Sequence, residues 1–516
     1  MPHIAGKRYP VPLLALSLSL CAGCSDGPAR HVPSAARWTV GCTQPAFDPD
    51  GPPDAVRAAL ERTLSRGLLE RRSDGSIVLG AAERFAWGKD SLSLTFVLRP
   101  GLHFTDGTAV TSQQFRAALI AGLARADHGT RAWLLGAVEG VAQVRAGRPL
   151  PALGIETPDA RTLVLRLVRK DSHLLDALAI AGVSTPWKSR VGEWDAAVGI
   201  GPYRVAEHEP GRALVLLAAD SSVGVAASLD TLRIGFVVGA ARVRTLLRRG
   251  ATDLVWPIPP ALLERAVPAP YVVQHLEASP PRRLLLVFRA DMPPMHRLPA
   301  RHALSHALDR REMVEVLGQR GTSINSWLTG AGAFDFPSLD AQLVRSWLAR
   351  GKLGGSFHVT LAFDADRSGA EVARTLQGQW ARAGLYAELR AQRGAAAAAE
   401  PLRSAAAHAQ LVESQAPWQG AAAELATMVM PLRGPAIGSF RTGWRTREFD
   451  PAISPGALEP LDVEHAQQRL AEERVVLPIA NLPWIWVESD RRTAGYFGPS
   501  NGPEFTRLTV PRAKPH

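Results

Sequence analysis

The sequence predicts an α/β protein of two or three lobes, and three observations carry that prediction. Its 516 residues exceed what one hydrophobic core usually supports. Phe357 to Phe363 alternates as a strand, Val372, Leu376 and Trp380 stripe a helix, and Leu385, Ala387 and Leu389 alternate again. A strand–helix–strand unit of this kind places its two strands parallel in one sheet. The third observation is the stretch Trp87 to Phe115. Leu92, Leu94, Phe96 and Leu98 alternate with polar residues, Pro100-Gly101 turns the chain, and Asp106-Gly107 turns it again. Thr111 with Gln114 then forms a capping box for a helix buried along Phe115, Leu119 and Leu123.

The chain opens with Lys7-Arg8, an apolar run from Val11 to Leu20, and Cys21-Ala22-Gly23-Cys24. A positive start, about ten apolar residues and a small-residue cleavage site make residues 1–23 a secretory signal peptide, too short to span a bilayer. Ala22-Gly23-Cys24 resembles the bacterial lipobox, with Cys21 standing where Leu is usual. Acylation of Cys24 would tether a soluble domain to a membrane surface without a span. Ser25 to Arg37, rich in Gly, Pro, Ala and Ser, completes a lipidated linker over 24–37. Cleavage leaves Cys24 and Cys42, so neither a disulfide nor a Cys-rich zinc site is expected.

Hydrophobic content of 46% and charged content of 21% are those of an ordinary globular protein. The formal net charge is +11, or +9 once Lys7 and Arg8 are removed. The excess is mostly Arg and scattered, with no basic run, which argues against nucleic acid as a partner.

Further elements follow in order. Arg37 to Val40 opens the first strand, and Val56, Leu60 and Leu64 stripe a helix over Ala55 to Leu69. Ser73 to Ser76 is a hairpin turn. Arg161 to Val168 is a strand, after which Asp171 is expected to cap a helix through Leu174, Leu175 and Leu178. Ala213 to Leu217 and Leu232 to Val238 are strands, and Val243 to Leu247 is a helix closed by Gly250. The apolar run Arg283 to Phe288 suits a strand buried on both faces. Pro299 suits a first helical turn, and Asp309 with Glu312 forms a second capping box. Gly394 to His408 is alanine-rich, a surface helix or a variable insertion.

The same stretches resemble, in order, the motifs of the family 5 extracellular solute-binding proteins, the dipeptide and oligopeptide receptors of ABC importers. The matching segments are Trp87–Phe115, Gln44 to Pro49, Gly80 to Glu83 with Trp87, Gly199-Ile200-Gly201-Pro202-Tyr203, the Arg301 to Arg310 helix, and the closing Leu477 to Val487. The resemblance implies a type II periplasmic-binding-protein fold with mixed sheets, two lobes, an inserted subdomain and a hinge of two crossover segments. On this reading one lobe comprises 38–75, 196–279 and 484–516, the inserted subdomain 76–195, and the other lobe 280–483.

Enzymatic and metal chemistry find no footing. His302 and His306 are four apart, but Ala303-Leu304-Ser305 lies between them, so the acidic residue of an HExxH zinc motif is missing. Both are expected as solvated surface histidines. There is no GxxxxGK[ST] loop, and Cys42 has no catalytic companions. No catalytic residue, metal or cofactor is expected.

The resemblance also implies where a ligand sits. The family's cleft strand is followed by an Asp that pairs with a peptide's amino group. Here the stretch is Gln410 to Trp418, with Trp418 at the aromatic position and Pro417 in place of the carboxylate. Glu413 or Gln415 is the candidate substitute. Trp444 falls on a second aromatic position, and Trp327 and Thr43 lie on loops that face the cleft in relatives. The expectation is a monomeric, lipid-anchored receptor in the cell envelope or periplasm that delivers a peptide or peptide-like ligand to an ABC permease. The alternative is the same fold repurposed as an envelope sensor or scaffold without transport.

Overall fold

The computed structural model describes residues 34–505, apart from 49–54, 73, 122, 124–132, 145–148, 190–191, 222, 337, 354–356, 366, 368, 393–406, 417–418, 432–441, 454–459, 490–495 and 499–501. The signal peptide, Cys24 and most of the linker lie outside the described residues.

Three sheets organise the chain. The first has seven strands, in the order Tyr271–Leu276, Trp484–Ser489, Leu254–Val255, Ala35–Val40, Thr231–Phe236, Ala213–Ala218 and Tyr203–Glu209. Ala35–Val40 runs parallel to both of its neighbours, and the other pairings are antiparallel. On one face Trp38, Val40, Leu214, Leu232 and Ile234 join Val56, Leu60 and Leu64 of the helix Ala55–Leu64 in a core. The other face is covered by the helix Ala240–Arg248, which buries Val243 and Leu247 against Val255, Tyr271 and Val487.

The second sheet runs Tyr386–Gln392, His358–Asp364, Ala409–Gln415, Arg282–Phe288 and Val476–Asn481. Its first two strands are the parallel pair expected from the strand–helix–strand unit, joined through the helix Gly369–Arg382 and the left-handed Gly384. Leu284 to Phe288 are buried throughout, as an apolar run packed on both faces requires. The third sheet is antiparallel, from Ala82–Trp87, Ser93–Leu98, Thr162–Arg166 and Ile155–Glu156. Beside it the capped helix Ser112–Ala121 forms as the sequence dictates. The Gln114 side chain accepts from the Thr111 backbone N–H at 2.8 Å, and Gly101 and Gly107 hold the two turns at positive φ.

Four local expectations are corrected. The first helix stops at Leu64 rather than Leu69: the Leu64 carbonyl takes the Gly201 N–H at 2.9 Å, and Leu69 begins a hairpin strand. Asp171 does not cap its helix. Its carboxylate accepts from His173 N at 2.8 Å, and His173 itself holds the cap position. The capping box at Asp309 is half built. Asp309 accepts from Arg311 N, but Glu312 turns to Gln379 and Arg382, and Gln379 serves the Asp309 N–H instead. His302 is not a solvated histidine. Its ring stacks 4.3 Å from Trp347, and its Nε2 donates to the Glu472 carbonyl at 2.9 Å.

Gly201 shows why the chain re-enters this way. A Cβ there would lie 2.6 Å from the Leu64 carbonyl carbon and 2.7 Å from the Ser65 nitrogen, so backbone meets backbone with no room for a side chain. Among the described residues no helix is long and apolar enough to cross a membrane.

Candidate functional site

Two short crossovers join the first and second sheets. One runs from Leu276 to Arg282 and the other from Asn481 to Trp484. In the seven-stranded sheet the parallel strands end at Val40, Phe236 and Val255, on the edge where Leu276 pairs with Trp484. In the five-stranded sheet they end at Asp364, Gln392 and Gln415, and Gln415 is the register partner of Arg282. Both sheets thus turn the carboxyl ends of their parallel strands toward the crossovers, which is where open α/β sheets hold ligands.

Arg282 is the central side chain of this junction. Its Cζ lies 4.1 Å from the centre of the Trp484 ring, a cation–π contact across the two crossovers. Its Nη1 donates to the Pro483 carbonyl at 3.2 Å and its Nη2 to Glu413 at 3.0 Å. Trp484 in turn packs 5.8 Å from Trp256, whose carbonyl accepts the Trp38 indole N–H. Glu413 meets a second guanidinium, Arg367, at 3.4 Å, and Arg367 also reaches Asp364 at 3.3 Å. Gln415 donates to the Pro280 carbonyl at 2.8 Å and Gln419 to the Ser279 hydroxyl at 2.7 Å. Burial lowers the affinity of Arg282 for its proton, Glu413 opposes this, and Arg367 adds to it. An arginine nevertheless stays charged. Two cations and two carboxylates therefore share this edge, and their formal charges cancel.

One residue along, Arg283 points to the interior. It pairs with Glu424 at 3.1 Å, both side chains being buried, and donates to the Trp327 carbonyl. Thr329 N donates to the same Glu424 at 2.9 Å. Burial lowers the Arg283 pKa and Glu424 counters it. This pair fastens the helix Ala421–Met428 to the strand that starts at the junction.

The expected site residues fall in different places. Glu413 and Gln415 stand together at the junction. Thr43 is exposed on the loop after Val40, at the matching edge of the other sheet, where Gly41 N donates to the Pro257 carbonyl at 3.0 Å. Trp444 packs against Phe449 and lies beside Ala290, whose N–H donates to the Thr442 carbonyl. That is the opposite end of the Arg282–Phe288 strand, roughly 20 Å from Glu413. Trp327 has no exposed surface. Its indole donates to the Val476 carbonyl at 2.7 Å, and its ring packs on Phe334 and Phe336. Trp418 lies outside the described residues.

Arg282, Arg367 and Trp256 escaped the sequence reading. A search for a carboxylate to hold a ligand's amine examines acids, whereas here the arginines decide what that acid can do. A signal did exist for Arg367, which follows the carboxyl end of a strand by three residues.

A mixed-sheet α/β chain whose two sheets turn their parallel strand ends toward two crossovers has the type II periplasmic-binding architecture. This chain belongs to the bacterial extracellular solute-binding proteins, family 5: the model of that family's middle region matches residues 76–429. The oligopeptide-binding protein OppA of Bacillus subtilis (strain 168) is 21% identical over 491 residues, covering 88% of each chain. Among solved structures, AgaA from A. tumefaciens R10, in complex with agropinic acid, superposes with a TM-score of 0.77 at 18% identity, over 92% of this chain and 96% of that one. The Escherichia coli murein tripeptide binding protein MppA also gives 0.77 at 18% identity, over 92% and 97%.

Proposed function

We propose that this chain is the lipid-anchored solute receptor of an ABC importer, capturing a peptide or peptide-like molecule and passing it unaltered to a permease. The lobes are 38–75 with 196–279 and 484–516, and 280–483, with 76–195 inserted. Cys24 carries the lipid, and the protein works in the cell envelope. The observation that carries this reading is the junction itself, where both sheets aim their parallel strand ends at two crossovers laced by Arg282, Glu413 and Gln415.

The relatives support the ligand class. OppA and MppA are named for oligopeptides and a murein tripeptide, and AgaA held agropinic acid. Glu413, Gln415 and Thr43 line the facing edges in this proposal, with Trp418 as an aromatic wall and Trp444 further along the same lobe. The two guanidiniums on Glu413 bear on the ligand's chemistry. An ammonium would meet a carboxylate already neutralised, so Glu413 serves the ligand less than Arg367 does, and backbone carbonyls or a carboxylate suit this edge better.

Mass spectrometry of ligand released from natively purified protein tests the proposal, followed by calorimetry with the recovered molecule and its Arg367→Gln variant. A peptide or peptide-like mass, bound more weakly by the variant, is the expected result. Protein that is empty and binds nothing in a peptide screen overturns capture and favours an envelope sensor or scaffold.

A further inference from the structure

We propose that the outer face of the seven-stranded sheet, around the helix Ala240–Arg248, is a docking surface for an anionic lipid bilayer. Between Asp230 and Asp253 the chain contains five arginines and no acidic residue. The fold gathers four of them on one exposed surface. Arg242, Arg248 and Arg249 stand exposed on and just after the helix. Leu232, Ile234 and Phe236 face the core, so Arg233 takes the opposite face of its strand, the face this helix covers, and is also exposed. Among the described residues no carboxylate pairs with any of these four. The fifth, Arg244, is spent on the carbonyls of Leu262 and Ala266.

Two of the nearby acids are engaged, while the exposed Glu207 lies two strands from Arg233 on the same face of the sheet, both opposite Val215. Asp253 receives the Arg37 guanidinium at 3.1 Å, and Asp230 receives both the N–H and the hydroxyl of Ser34. Glu264 is exposed but stands beside Arg265. The fold therefore leaves four arginines of this one stretch exposed and without a carboxylate partner among the described residues.

The place of this patch decides what it meets. The helix starts where the Thr231–Phe236 strand ends and runs back, so Arg248 and Arg249 lie at the amino ends of the parallel strands. There Asp253 N donates to the Arg37 carbonyl, and Ser34 leads into the first strand. Ten peptide steps separate Ser34 from Cys24. Fully extended, that length reaches about 35 Å at most. This inference rests on the reading that Cys24 is acylated: the tether then returns the chain to the bilayer at the end of the sheet where the arginines stand. Unpaired arginines within a Debye length of anionic headgroups are attracted by them, and salt weakens the attraction. The patch would orient the receptor on the membrane, with the crossover junction at the opposite edge of the sheet.

The test separates the patch from the anchor by using the full chain with Cys24→Ser, which carries no acyl group. Co-sedimentation is measured with vesicles of phosphatidylcholine alone and with about 30% phosphatidylglycerol. We expect binding to the anionic vesicles only, released at about 0.5 M salt. The triple variant Arg242→Glu, Arg248→Glu, Arg249→Glu loses about tenfold or more in affinity. A charge-matched control, Arg345→Glu, Arg374→Glu, Arg390→Glu, changes exposed residues of the other lobe and keeps most of the binding. Equal losses in the two variants would reduce the effect to net charge and overturn the proposal, as would absence of binding by the parent. Binding to permease reconstituted in phosphatidylcholine, with none to anionic vesicles, would assign the patch to a protein partner and also overturn it. Failure of acylation at Cys24 would show separately, in the mass of the native protein.

Discussion

Arg282 lies over the ring of Trp484, 4.1 Å from its centre, although 202 positions separate the two residues in the chain. Each sits at the end of a different crossover, so their contact ties the two connections between the sheets to each other. Glu413 holds the far side of the same guanidinium. Arg282→Met keeps the apolar stem on Trp484 and removes the charge, leaving Glu413 to Arg367. Breaking a largely buried pair from one side costs about 1–3 kcal/mol, read as a lower denaturant midpoint at unchanged slope. Glu413→Gln should cost less in the Arg282→Met background than alone. Strictly additive losses would mean the two side chains are neighbours without being coupled.

What was legible in the sequence was local. The Ser93–Leu98 strand, its two glycine turns and the Thr111–Gln114 cap are decided within thirty residues, and all formed as the pattern requires. The parallel pair around Gly369–Arg382 was legible for the same reason. The site was legible only in its strand. Glu413 could be placed at a strand's carboxyl end, but its partner Arg282 is 131 positions away, and nothing periodic signals such a pair. His302 failed likewise. The spacing of two histidines excluded a zinc motif, yet Trp347, arriving from the helix Ala341–Arg350, turned an exposed position into a stacked one.

The interior pair below the junction gives a sharper stability test. Arg283 and Glu424 have side chains only 6% and 4% exposed, so removing either charge strands the other. Arg283→Met and Glu424→Gln should each lower stability by about 3–5 kcal/mol. The double change Arg283→Met, Glu424→Met should recover much of that, because two apolar side chains carry no desolvation penalty. Urea titrations of the three variants check this. A double variant no better than the worse single one would refute the pairing argument.

His302 sets a pH window. Burial first, then the charge of Arg474 and His306, push its pKa from 6.5 down to about 4, although its hydrogen bond to the Glu472 carbonyl pulls the other way. Between these values the unfolded chain binds the proton and the folded chain does not. Stability therefore rises with pH from about 4 to 6.5 and is lost as pH falls through that window. Allowing for partial exposure, the loss from pH 7 to pH 5 is about 1–2 kcal/mol. Replacement by Phe, which keeps the stack on Trp347, should flatten that slope. An unchanged slope in His302→Phe would place the proton uptake elsewhere.

Two glycines predict opposite outcomes for the same substitution. At Gly201 a Cβ strikes the Leu64 and Ser65 backbone, so Gly201→Ala should cost about 3 kcal/mol or fail to fold. Gly378 lies inside the helix Gly369–Arg382 with nothing within 4 Å of its Cβ position. Gly378→Ala should raise stability by about 0.5–1 kcal/mol through helix propensity and a less flexible unfolded chain. Thermal melts of the pair read both signs at once.

Trp133 makes the last test, and it concerns closure. Its indole N–H donates to the Ile453 carbonyl at 3.1 Å, both residues being buried and 320 positions apart. Trp133 belongs to the 76–195 stretch and Ile453 ends a short helix within 280–483. If those parts swing about the crossovers, this contact is made on closing and broken on opening. Trp133→Phe keeps an aromatic ring there and removes the donor. Global stability should change by no more than about 1 kcal/mol. The balance between open and closed forms should shift by up to about tenfold, because the lost hydrogen bond belongs to the closed form alone. Small-angle scattering of the ligand-free variant should show a larger radius of gyration than the parent, and ligand should bind more weakly while restoring the compact form. If radius and affinity stay the same while stability alone falls, the indole is a static part of the core and plays no part in closing.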